Sequence, residues 1–115
     1  IIALGGKYNR GYGGFFGLQC EQAIRSYHVD VALMSSTTVQ GTSIYTQDEQ
    51  VVRIKQAMLK VAKKSIVLID SSKFEYTALN KVADLRDFDH VIVSKDIDER
   101  RINELIQANV KLELA

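Results

Sequence analysis

Short apolar runs alternate with helical patterns along this chain. Val29 to Met34, Ser65 to Ile69, His90 to Val93 and Val110 to Leu114 read as strands. Ile66-Val67-Leu68-Ile69 is apolar without interruption, the pattern of a strand covered on both faces of a parallel sheet. Val110, Leu112 and Leu114 instead alternate with Lys111 and Glu113, which places the last strand nearer an edge. Ile1 to Leu4 reads as a strand already under way, so its partners are expected upstream and residues 1–115 are expected to be one domain, in part only.

Between the strands, Val51, Ile54, Met58 and Val61 recur at spacings of three and four, the stripe of a helix lying on a sheet. Thr46-Gln47-Asp48-Glu49 has the form of a capping box at its start, with the Thr46 hydroxyl and the Glu49 carboxylate each satisfying a backbone amide. Asp98 caps a second helix that turns Ile102, Leu105 and Ile106 inward, and Asn109 suits the left-handed residue beyond its end. Strand and helix alternate through most of the chain with no repeat or linker, which predicts an α/β fold with a mostly parallel sheet and flanking helices.

Composition narrows the function more than the fold. With 46% hydrophobic and 25% charged residues the chain can bury an ordinary core. Its net charge of +1, from 15 lysines and arginines against 14 acids, supplies no broad basic field for DNA. A lone cysteine, Cys20, in an apolar helical stretch suits a reducing cytoplasm. No apolar run nears the roughly 18 residues that span a bilayer, so no membrane role is expected.

Open α/β sheets take ligands beyond the carboxyl ends of their strands, and four such ends carry suitable chemistry. Ile1 to Leu4 runs into Gly5-Gly6-Lys7, and Val29 to Met34 into Ser35-Ser36-Thr37-Thr38. Ser65 to Ile69 runs into Asp70-Ser71-Ser72-Lys73, and His90 to Val93 into Ser94-Lys95-Asp96. Glycine lets backbone amides approach an anion, hydroxyls donate hydrogen bonds and lysine adds charge, a set that fits a phosphorylated polyol. Plainer readings stand beside this one. Asp70-Ser71-Ser72 also reads as a turn that satisfies its own backbone, and Glu49 as a helix cap. Lys55 is placed to enter a crevice or to extend to water beside the stripe. Gly11-Tyr12-Gly13-Gly14-Phe15-Phe16-Gly17 lacks the spacing of a nucleotide loop and reads as a mobile loop whose aromatics are free to meet a partner.

Catalytic signatures are missing. There is no G-x-S-x-G elbow and no H-E-x-x-H, and His28 and His90 lie far apart with no ligand cluster beside them. The reading is therefore of a binding module that needs neither metal nor cofactor; Asp70 or Glu49 would act as a base only if the fold brought them together.

Five segments in order carry a family resemblance: Gly5-Gly6-Lys7-Tyr8-Asn9-Arg10, Gly14-Phe15-Phe16-Gly17, Asp30-Val31-Ala32-Leu33, Lys55-Gln56-Ala57-Met58, and Val67-Leu68-Ile69-Asp70-Ser71-Ser72-Lys73-Phe74. The chain resembles the sensor domain of DeoR-type transcription regulators over nearly its whole length. The resemblance implies a fold shared with sugar-phosphate isomerases and CoA transferases, and a phosphorylated sugar as effector. It also implies operator DNA bound through a separate N-terminal helix-turn-helix outside this chain, a homo-oligomer, and repression of carbohydrate genes as the usual role. Carried over by position, Gly5 and Gly6 give backbone approach, Asp70 takes a sugar hydroxyl and Lys73 the phosphate, joined by Ser35, Lys55 and Ser72. The family's Gly-Thr-Thr phosphate loop is expected upstream of Ile1. Ser36-Thr37 stands where the family usually has glycine and Ser94-Lys95 where it has Thr-Asp, which leaves the effector open. The rival from another class is a sugar-phosphate isomerase or transferase on the same superfold.

Overall fold

The computed structural model describes residues 1–115. A short antiparallel hairpin, β1 (Lys7–Asn9) and β2 (Gly14–Phe16), leads into α1 (Leu18–Arg25). Then come β3 (Val29–Ser35), β4 (Thr38–Gln40), β5 (Ser43–Thr46), α2 (Glu49–Val61) and β6 (Ala62–Ile69). The chain finishes with β7 (Asn80–Asp84), β8 (His90–Val93), α3 (Glu99–Gln107) and β9 (Leu112–Leu114).

The main sheet is parallel, in the order β3-β6-β8-β9. β9 lies at an edge, as its alternation predicts. A second sheet, β4-β5-β7, is antiparallel and was not expected. Its strands are only three to five residues long. Their mixed polar sequences carry too little alternation to stand out.

Alternation splits the parallel sheet into two unlike faces. One carries Met34, Val67, Ile69, Val91 and Val93 into a core shared with Val39 and Ile44 of the small sheet, Phe88 and Leu105. The other carries Val31, Leu33 and Leu68, all exposed. The uninterrupted apolar run of β6 predicted cover on both faces; here one is covered.

Several local expectations are corrected. Within residues 1–115, Ile1 to Leu4, whose partners were expected upstream, pairs with no strand: Leu4 packs on a small cluster of Cys20, Ile24 and Ala57 while Ile1 and Ile2 are exposed. Extended backbone becomes a strand only when a neighbour takes its hydrogen bonds. The glycine-rich segment is a hairpin rather than an irregular loop, with Tyr8 edge-on to Phe15 and Tyr12 against Phe16. Its aromatics therefore pack on one another. The cap of α2 is Asp48, whose carboxylate accepts from the Gln50 amide at 2.8 Å. Thr46 instead ends β5 with a buried hydroxyl that accepts from Thr37 at 3.4 Å. Asp98 caps α3 as expected and Asn109 is left-handed beyond it, at φ 61°. Leu105 is buried but Ile106 is exposed, because a nine-residue helix presents only a narrow stripe to the core.

Candidate functional site

Parallel pairing brings the carboxyl ends of β3, β6 and β8 side by side, and the residues after each end interlock. At β3, Lys55 reaches from α2 and its ammonium donates to the Ser35 carbonyl. Burial holds the Lys55 ammonium below its ordinary pKa, since charge is costly to desolvate. The Ser36 hydroxyl, buried, donates to the Thr38 carbonyl at 2.8 Å. The Thr38 hydroxyl donates to the Tyr76 carbonyl and lies 3.0 Å from that of Lys73, so the start of β4 is stitched to the turn after β6.

That turn is a single 3-10 turn over Ser71–Phe74 capped by Asp70. One Asp70 oxygen accepts from the Ser72 amide at 3.0 Å and from the Ser72 hydroxyl. The other lies 3.5 Å from the Lys73 ammonium. These partners, the Ser72 hydroxyl first, hold the Asp70 carboxyl below its ordinary range. The Ser71 amide donates to the Ser94 hydroxyl after β8 at 2.8 Å, and the Ser71 hydroxyl donates to Asp96 at 2.8 Å. Asp96 is also held low, by the Ser94 and then the Ser71 hydroxyl.

Five of the expected residues thus fall into two groups on adjacent strand ends: Ser35 with Lys55, and Asp70 with Ser72 and Lys73. Gly5 and Gly6 lie just before the hairpin. Both have positive φ, 74° and 112°. A Cβ on Gly6 would sit 2.7 Å from the Phe16 carbonyl and 3.0 Å from the Cys20 Cβ, so glycine there serves packing of the hairpin on α1. Ser71, Ser94 and Asp96 are the members that sequence reasoning left out of the site. Their signal was the polar segment Ser94-Lys95-Asp96 at the end of β8; their union with the β6 turn is a product of the fold.

Chemically, the rim offers ionised carboxylates to accept from sugar hydroxyls and two lysines to face a phosphate. It offers no imidazole. His28 precedes β3 and His90 opens β8, both at the amino ends of the sheet, away from this rim. No group of three histidine, cysteine or acidic side chains is arranged for a metal. No helix is long and apolar enough to cross a membrane.

A separate groove of about 470 Å³ runs along β3 and is lined only by apolar side chains, among them Leu4, Ile24, Val31, Leu33, Ile54 and Val61.

The family model described as the DeoR C terminal sensor domain matches residues 1–95. A protein of Escherichia coli O157:H7 that carries the name of an aga operon transcriptional repressor is 32% identical over 115 residues, covering 97% of this chain and 42% of its own length. The L-fucose operon activator of Haemophilus influenzae is 27% identical, covering 85% of this chain and 40% of its own. The HTH-type transcriptional repressor GlcR of Bacillus subtilis is 30% identical over 95 residues, covering 83% and 37%. The chain spans about two-fifths of the length of these curated relatives.

Proposed function

This chain belongs to the family of DeoR C-terminal sensor domains, and from that premise we propose that it binds a phosphorylated sugar at the carboxyl ends of β3, β6 and β8. The observation that carries the proposal is the convergence of Lys55, Asp70, Ser72 and Lys73 on adjacent strand ends, with Ser35 beneath Lys55. Asp70 and Asp96 accept from sugar hydroxyls, and Lys73 and Lys55 face the phosphate. Gly6 serves packing, its contacts being with Phe16 and Cys20, while Gly5, with open space around it, gives backbone approach.

In the full-length protein the ligand acts by preferring one conformation of this domain and so shifting how an N-terminal helix-turn-helix in the same polypeptide meets operator DNA. The relatives' names include repressors and an activator, so the direction of the response is not part of the proposal. Recognition of paired half-sites favours a homo-oligomer, and the setting is cytoplasmic. We read the rim as a binding site and not a catalytic one, because the carboxylates that accept from its serine hydroxyls, Asp70 and Asp96, are both held below their ordinary range and so are weak bases.

A thermal-shift titration of the full-length protein against phosphorylated and unphosphorylated sugars tests this. A phosphosugar at about 100 times its Kd should add roughly 2.7 kcal/mol of stability. The response should be saturable and should need the phosphate. A flat panel from folded protein would overturn the proposal, and turnover of a phosphosugar would favour the isomerase or transferase reading.

A further inference from the structure

We infer that Tyr76 is a specificity-determining residue of the proposed effector site, its ring stacking on the apolar face of a sugar that is closed as a ring; the inference rests on the phosphosugar reading of the rim. The side chains gathered there, Lys55, Asp70, Ser72 and Lys73 among them, are all polar. They suit hydroxyls and a phosphate and offer nothing to the carbon skeleton of a sugar. Small-molecule sites join a few placed polar groups to an apolar or aromatic wall, and Tyr76 supplies that wall.

Its position follows from Thr38. The Thr38 hydroxyl donates to the Tyr76 carbonyl and lies 3.0 Å from the Lys73 carbonyl, so one side chain of β4 ties the backbone of Tyr76 to that of Lys73. Tyr76 is 61% exposed there. The other exposed aromatic rings are differently placed. Tyr8 and Phe15 pack on each other and Tyr12 on Phe16, while Tyr27 precedes β3 at the amino end of the sheet.

The backbone that presents Tyr76 is held. Residues 75–79 form neither helix nor strand, yet three in succession are fixed by side chains of β4 and of Gln47, just after β5. Beyond the Thr38 contact, the Gln47 side-chain amide donates to the Thr77 carbonyl at 3.3 Å, and the Ala78 amide donates to Gln40 Oε1 at 2.8 Å. Asn80 closes the set by donating to the Gln47 carbonyl at 3.0 Å. A ring carried on an ordered backbone gives up little freedom when a ligand arrives.

The class of ligand follows from the ring. A closed hexose gathers C–H groups into a flat apolar face that matches an aromatic surface, whereas an open-chain polyol scatters hydroxyls around its skeleton and has no such face. The site should therefore select ring-closed phosphosugars over open-chain ones.

The test is calorimetric titration of the full-length protein with hexose 6-phosphates, each as its methyl glycoside, which is locked as a ring, and as the reduced hexitol, which cannot close. Tyr76→Ala should weaken binding of the glycoside about 10-fold and that of the hexitol less than about twofold, while Tyr76→Phe keeps both affinities. Undiminished glycoside binding in Tyr76→Ala, or equal loss for both forms, would overturn the inference and leave the effector site standing. Absence of binding by the unsubstituted protein would overturn the site and the inference together. Sedimentation of the same samples separates a contact between subunits: a loss of affinity that appears only as Tyr76→Ala dissociates the protein would assign Tyr76 to an interface and sink the stacking role.

Discussion

Val67 and Leu68 are neighbours on β6, yet Val67 is fully buried and Leu68 is 42% exposed. The two faces of one sheet carry nearly the same residue types and meet different fates. On Val67's side, Phe88, Leu105 and the small antiparallel sheet close over the strands. On Leu68's side nothing in these 115 residues does. Apolar composition therefore states what a face requires, and the elements packed against it decide whether the requirement is met.

The sharpest way to break that contrast is to truncate on each side. Phe88→Ala should cost about 3 to 5 kcal/mol in urea unfolding, and Leu68→Ala on the open face under about 1 kcal/mol, since only buried groups leave a cavity. Equal losses would show that the faces are covered alike. The carboxyl rim is the next discriminator, because it should separate binding from stability. Lys73→Ala should weaken phosphosugar binding by about 1.5 to 3 kcal/mol in calorimetric titration and leave the melting temperature almost unchanged. Helix α2 joins the two regions, sending Val52 and Leu59 to the main core and Ile54 and Val61 to the groove. Asp48→Ala removes its cap and should cost about 1 kcal/mol, with one unfolding transition if the regions are cooperative. The smallest effect belongs to Lys55. Its ammonium is held below the ordinary lysine pKa by burial, so the folded state carries a charge penalty below the folded pKa that fades as pH rises to the unfolded one. Stability should rise slightly across that interval, and Lys55→Met should abolish the rise.

Much of the fold was legible where burial is one-sided or complete. β3, β6 and β8 are apolar runs, and the three-and-four spacing of Val51, Ile54, Met58 and Val61 marked α2. What escaped depends on partners distant in sequence. β4 and β5 form a tight hairpin of short, mostly polar strands, and β7 joins it by pairing across more than thirty residues, as with Tyr45 and Lys81. Thr46 looked like a cap because a hydroxyl three residues before an acid has that form, but its strand partners claim it first. Of the site, Asp70, Ser72 and Lys73 were readable as one local turn. The contact of Lys55 with Ser35, and of Ser71 with Ser94 and Asp96, joins different strand ends and has no local signature.

The order β3-β6-β8-β9 also runs in the direction of synthesis. Each parallel strand leaves the ribosome after the strand it will pair with, so the sheet can extend one strand at a time from a template already made. Pairing at long sequence separation is slow when a whole chain must find it at once. Emerging in this order, the nascent chain reduces that search to one docking step per strand.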